Sequence, residues 1–155
     1  DRSYTAGLAE IAKYAIACDK KFFYWLEDNA INLRNREKTA ILVAVRKCCS
    51  IKMRIVKIDP KENNTRIILN FGHTVGHAIE TAMKYKKFNH GQAISIGMMI
   101  AAKIAVAKGM LDADAVARQE DLLKKFDVAS EGKKTSPESE SFLGKIKEFW
   151  DDLKD

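Results

Sequence analysis

The residues with the most chemistry in this chain lie in one stretch, RIILNFGHTVGHAIETAM, beginning at Arg66. Its ionisable or long polar side chains are Arg66, Asn70, His73, His77 and Glu80, at steps of four, three, four and three. That rhythm puts all five on one stripe of a helix. The rest of the stretch is almost wholly apolar or small. A solvated stripe is usually rich in Lys and Glu, so this one points to a polar cavity.

His73 and His77 have the HxxxH spacing at which two imidazoles on one helix reach a single metal ion. Thr74, not Glu, follows His73, so the general base of the HExxH metalloproteases is missing. The third histidine, His90, opens a later helix. Glu10 is the only acid in AGLAEIAKYAIAC (Ala6–Cys18), and Lys13 shares its face. On so apolar a helix the two either pair with each other or serve a buried site, because an unpaired buried charge is costly. One carboxylate, two or three histidines and an open position suit catalytic zinc better than structural zinc. These residues imply a metal site between helices, lined with cations. They leave open whether His77 or His90 completes it.

The elements that must position these groups read as helices almost throughout. The pattern predicts helices over Tyr4–Cys18, Lys20–Asp28 and Arg36–Lys57, the last ended by Asp59-Pro60. A loop at Lys61–Thr65 precedes a helix over Ile67–Lys84. A basic loop, Tyr85–Asn89, leads to a helix over His90–Lys108, stopped by Gly109. Asp112 is placed as the N-cap of a helix to Phe126. A polar linker, Val128–Thr135, precedes a last amphipathic helix that Ser136-Pro137 opens and that runs to Lys154. In the long third helix the expected buried stripe is Ile41, Val45, Cys48, Cys49 and Val56. Lys52 falls on that stripe. Its stem can lie buried with the amine in water, but its position leads us to expect the amine in the same cavity as the Arg66–Glu80 stripe.

Composition sets the outer bounds. The chain has 155 residues, within the range of roughly 100–200 for one domain, so residues 1–155 are expected to form a single all-α domain. Only 8 Gly and 2 Pro argue against an all-β or loop-rich fold. The longest nearly apolar run, Ala93–Ala102, is closed by Lys103 and is too short to span a bilayer. The net charge of +6 is interleaved with 21 acidic residues and no aromatic-basic repeat, which argues against nucleic acid as a partner. Cys18, Cys48 and Cys49 form no CxxC and read as reduced, mostly buried thiols of a cytoplasmic protein. The N-terminus carries neither a signal-peptide pattern nor an initiator Met, so the chain is expected to begin inside a longer protein.

Four stretches resemble the C-terminal helical domain of the dehydroquinate synthase family: Gly7–Ile16, Asp19–Glu27, Arg66–Glu80 and His90–Met98. The long LNFGHTxGHAIE block is far more specific than the HxxxH within it. The resemblance implies an all-α bundle that works beside an N-terminal NAD-binding domain, in a full-length homodimer. It implies conversion of 3-deoxy-D-arabino-heptulosonate 7-phosphate, a phosphorylated seven-carbon keto acid, to 3-dehydroquinate. The family route is oxidation by NAD, elimination of phosphate, re-reduction, ring opening and aldol closure.

The resemblance further implies Glu10, His73 and His90 as ligands of Zn²⁺ or Co²⁺. His77 becomes a proton relay or substrate contact. Lys13, Lys52, Arg66 and Asn70 become anion and hydroxyl binders, and Glu62 a further active-site acid. Two positions depart from the family pattern. Gln92 stands where a carboxylate is usual, and Asn63-Asn64-Thr65 replaces a glycine-containing loop. No lysine near the C-terminus, Lys133 and Lys134 included, has a secure counterpart. Two other readings remain at this point: a related sugar-phosphate cyclase of the deoxy-scyllo-inosose synthase type, and a non-catalytic helical module. Without an NAD-binding domain the chain alone is not expected to turn over.

Overall fold

The structure, a computed structural model, describes residues 2–84, 88–126 and 128. The described residues form six α-helices: α1 (Arg2–Cys18), α2 (Lys20–Arg34), α3 (Lys38–Ile58), α4 (His73–Ala82), α5 (His90–Ala107) and α6 (Ala113–Lys125). A 3-10 turn, Thr65–Asn70, lies between α3 and α4. No strand occurs among the described residues, as the helical periodicity requires. The expected final helix to Lys154 and most of its linker lie outside the described residues.

Side-chain caps set several helix starts. The Asp19 carboxylate accepts from the Phe22 N–H at 3.0 Å and opens α2. Glu37 does the same for α3, accepting from the Thr39 and Ala40 N–H groups at 3.1 and 2.9 Å. Asp112 holds the N-cap position of α6, but its side chain makes no capping bond. The helix expected to end at Asp28 continues to Arg34, because Ala30 and Leu33 carry its buried face on with Phe22 and Leu26.

Two expectations need correction. The buried face of α3 is Ala40, Ala44, Ile51 and Ile55, with Cys48 beside it, while Val45, Cys49 and Lys52 are exposed. The observed face follows the small and β-branched residues that let α3 lie close to α1 and α2. The thiols are accordingly less buried than expected: Cys18 and Cys48 are half-buried and Cys49 is exposed. Burial nevertheless pushes the Cys48 thiol up to about 12.

The second correction concerns the single helix expected over Ile67–Lys84. It is broken at Phe71-Gly72, where Gly72 takes a left-handed φ of +79°. A Cβ on Gly72 would stand 2.5 Å from Met98 Cγ, and one on Gly97 would stand 2.1 Å from the Gly72 carbonyl oxygen. The backbones of α4 and α5 therefore touch at these two glycines, and the chain must turn there to let them.

α5 packs on α4, α1 and α6, with Ile94 and Met98 fully buried. On length and composition α5 is long and apolar enough to cross a membrane, although the uncharged run alone is not. Here it lies against α4, α1 and α6, while α1 also meets α2 and α3.

Replacing a helical Gly by Ala at an unobstructed position stabilises by about 1 kcal/mol. At Gly97 the sign should reverse. Gly97→Ala is expected to lower the free energy of unfolding by about 1–3 kcal/mol, the range for overpacking. Denaturant unfolding that shows a stabilised variant would mean that the α4–α5 contact is slack.

Candidate metal centre

Three helices bring the candidate ligands together. Glu10 comes from the middle of α1. His73 opens α4 and His90 opens α5, so His73 is not mid-helix as a continuous Ile67–Lys84 helix would have had it. Glu10 Oε1 lies 3.4 Å from His73 Nε2 and 3.4 Å from His90 Nε2. All three donor atoms fall within 4.8 Å of one another. Ligands at about 2.0–2.1 Å from a tetrahedral zinc ion stand about 3.3–3.4 Å apart. The two measured edges have that length, so the donor set fits a divalent ion of this kind.

The far side of each imidazole is also engaged. His73 Nδ1 is 3.3 Å from the Phe71 carbonyl oxygen. His90 Nδ1 is 3.1 Å from Glu80 Oε1, and His77 Nδ1 is 2.9 Å from Glu80 Oε2. The three rings sit 5.5–5.8 Å apart, centre to centre. His77, the other half of the HxxxH pair, is thus turned to Glu80 through Nδ1.

Glu10 divides its two oxygens. Oε1 faces the imidazoles, and Oε2 accepts from the buried Lys13 amine at 2.7 Å. The pairing of Glu10 with Lys13 and the buried site, posed as alternatives, coexist. Burial raises the Glu10 carboxyl, but Lys13 and then the histidines outweigh it and hold it below its ordinary value. Burial and then Lys13 lower the His73 imidazole, against the opposing pull of the Phe71 carbonyl and Glu10. Burial likewise raises Glu80, and the hydrogen bonds from His77 and His90 reverse the sign. Ionised carboxylates and a neutral His73 are the protonation states a cation needs.

A second group lies on the loop before α4. The buried Asp59 accepts three backbone N–H groups: Asn63 at 3.0 Å, Asn64 at 2.8 Å and Arg66 at 3.0 Å. The loop so pinned presents Glu62, which takes Asn70 Nδ2 at 3.1 Å and Arg66 Nε at 3.4 Å. The left-handed residue of this loop is Glu62 (φ +58°), and neither Asn63 nor Asn64 takes that role.

The structure therefore gathers Glu10, Lys13, His73, His77 and His90 in one cluster and Glu62, Arg66 and Asn70 in another. Lys52 joins neither. It is exposed and has no hydrogen-bond or ion-pair partner among the described residues. Two contributors lacked a role in the sequence reading. Glu80 was visible on the polar stripe, but nothing in its spacing assigned it two histidine partners. Asp59 read only as the end of α3.

By sequence, the chain matches one family of known proteins. The family model described as 3-dehydroquinate synthase C-terminal matches residues 7–148. The 3-dehydroquinate synthase of Shewanella denitrificans is 45% identical over 139 residues, covering 90% of this chain and 38% of that protein. That of Colwellia psychrerythraea is 41% identical over 153 residues, covering 99% and 42%. The chain thus spans about two fifths of the length of the curated relatives it matches. In fold it is similar to the 2-epi-5-epi-valiolone synthase of Streptomyces hygroscopicus subsp. jinggangensis, solved with NAD⁺ and Zn²⁺ bound. The TM-score is 0.74 at 24% identity, over 96% of this chain and 42% of that one.

The Asp59 cradle gives a pH-dependent expectation. Its backbone hydrogen bonds, led by that of Arg66, hold the carboxyl below its ordinary value of 3.8. A depressed carboxylate contributes stability above its unfolded pKa and loses it as pH falls through the folded one. Asp59→Asn keeps the shape but removes the charge. Its Tm should lie below wild type at neutral pH, and the gap should close below about pH 4. Parallel melting curves across that range check this; a gap unchanged down to pH 2 would exclude the carboxylate as its source.

Proposed function

The chain belongs to the 3-dehydroquinate synthase C-terminal family, and we propose that it is the metal- and substrate-binding part of a 3-dehydroquinate synthase. On this reading residues 1–155 form one helical domain that works beside an NAD-binding domain. The substrate is a phosphorylated seven-carbon keto acid, converted to dehydroquinate with loss of phosphate. The observation that carries the reading is the convergence of Glu10 Oε1 with His73 Nε2 and His90 Nε2 at tetrahedral edge length.

Glu10, His73 and His90 would hold Zn²⁺ or Co²⁺, leaving a coordination position for substrate oxygens. When bound, such an ion supplies Lewis acidity that lowers the pKa of the hydroxyls beside the reacting carbon. The chain's own residues do the rest. Lys13 adds a point charge at the edge of the cluster. Arg66 offers a planar fork suited to a carboxylate or phosphate; Glu62 and the Pro60 carbonyl hold it on the loop, and Asn70 in turn holds Glu62. Lys52, exposed on α3, would offer a further ammonium to an anionic group of the substrate. His77, 59% exposed, is placed to take or return a proton.

Zinc titration separates this ligand set from a plain HxxxH site. Wild type should bind one equivalent. His73→Ala, His90→Ala and Glu10→Gln should lose binding, while His77→Ala should retain it. If His77→Ala abolishes binding and His90→Ala leaves it intact, the assignment is wrong. In enzyme that also carries the NAD-binding domain, phosphate release from the keto-acid phosphate should fail in the same three variants.

A further inference from the structure

Glu80 has no part in the chemistry above, yet it is the more enclosed of the two carboxylates at the histidine cluster. Its side chain is 8% exposed, against 59% for His77 and 42% for His90. It gives one oxygen to each ring: Oε2 to His77 Nδ1 at 2.9 Å and Oε1 to His90 Nδ1 at 3.1 Å. A carboxylate offers only acceptor lone pairs, so each ring must donate its Nδ1–H. A neutral imidazole has one ring proton, and a proton committed to Nδ1 leaves the lone pair on Nε2. On His90 that atom faces Glu10 Oε1. On His77 it becomes the basic atom of an exposed ring.

We propose that Glu80 is a positioning residue that fixes the tautomer of two histidines at once: it commits His90 Nε2 to the metal and keeps His77 Nε2 as a free base. The first half rests on the metal-site reading above; the tautomers themselves need no metal. Glu80 does for His90 what the Phe71 carbonyl does for His73, but by a side chain, which a substitution can reach. His77, Glu80 and His90 also lie close enough to suggest a second metal site. Filled together with the first, that site would need both nitrogens of His90 as ligands, and therefore an imidazolate stripped of its last proton. The distances at Glu80 are those of ordinary hydrogen bonds.

Glu80→Gln tests this directly. An amide has one acceptor oxygen, and its NH₂ can only donate. Only one of the two rings can then keep its bond as an Nδ1–H donor. Long-range ¹⁵N–¹H spectra of the metal-free protein should show both rings as Nδ1–H in wild type. In Glu80→Gln at least one should shift toward Nε2–H. Glu80→Asp, which keeps two acceptor oxygens, should retain the wild-type pattern. Zinc affinity of Glu80→Gln should fall about 10–100-fold, as for other partners of metal-bound histidines.

Wild-type His90 found as Nε2–H overturns the proposal whether or not any variant folds. So does a Glu80→Gln protein with both tautomers and zinc affinity unchanged. Two equivalents of zinc in wild type, one lost in Glu80→Gln, would make Glu80 a ligand instead. A wild type that binds no zinc defeats the metal reading alone, because the metal-free spectra still decide the role of Glu80.

Discussion

The close approach of α5 to its neighbours is the constraint on which the site depends. Gly97 lies against the Gly72 carbonyl, and a Cβ on Gly91 would stand 2.4 Å from Ala6 Cα. α5 therefore touches α4 and α1 backbone to backbone. Each candidate ligand flanks one of these contacts. His73 follows Gly72, His90 precedes Gly91, and Glu10 lies one turn beyond Ala6. At such points no side chain can wedge the helices apart. A tetrahedral ligand edge of about 3.3–3.4 Å tolerates little slack, so the glycines that look like packing details set the accuracy of the centre.

Charge sets the second constraint. Glu10 and Glu80 are the carboxylates of the histidine cluster, and Lys13 is its buried cation. Lys13 holds one Glu10 oxygen and repels any cation drawn to the other. A divalent ion added to two carboxylates and one ammonium leaves one positive charge uncompensated. In a half-buried cleft that excess is costly unless an anion offsets it. Under the proposed function the phosphorylated acid supplies it, so metal and substrate stabilise each other's binding.

The sequence made the helices legible because periodicity and caps are local. The Asp59-Pro60 stop after α3 and the Gly109 stop after α5 both act within a turn of where they stand. The break at Gly72 was not legible, since the steps from Arg66 to Glu80 fit one continuous helix. Only the contact with Gly97, distant in sequence, requires the turn. The face of α3 was misjudged for a similar reason. Residue hydrophobicity favoured Val45 and Cys49, whereas packing against α1 and α2 selected Ala40 and Ala44. At the site, residue types marked Glu10, the histidines and Arg66. They could not mark Asp59, whose three partners are backbone N–H groups that every residue except proline carries.

Gln92 shows how geometry and chemistry trade places near such a centre. Beside His90, an amide in place of a carboxylate reads as lost charge at a metal. In the fold its oxygen accepts from the Asn89 N–H at 3.0 Å, while Asn89 Oδ1 accepts from the Gln92 N–H at 2.9 Å. This is a reciprocal cap, and an amide oxygen serves it as a carboxylate does. The cap fixes the first turn of α5, and His90 is the first residue of that turn. The backbone of His90 is thus held by Asn89 and Gln92 and its ring by Glu80. Once both are fixed, the direction of Nε2 toward Glu10 follows. Position 92 therefore bears on the centre through the helix that carries a ligand, and that role survives the loss of its charge.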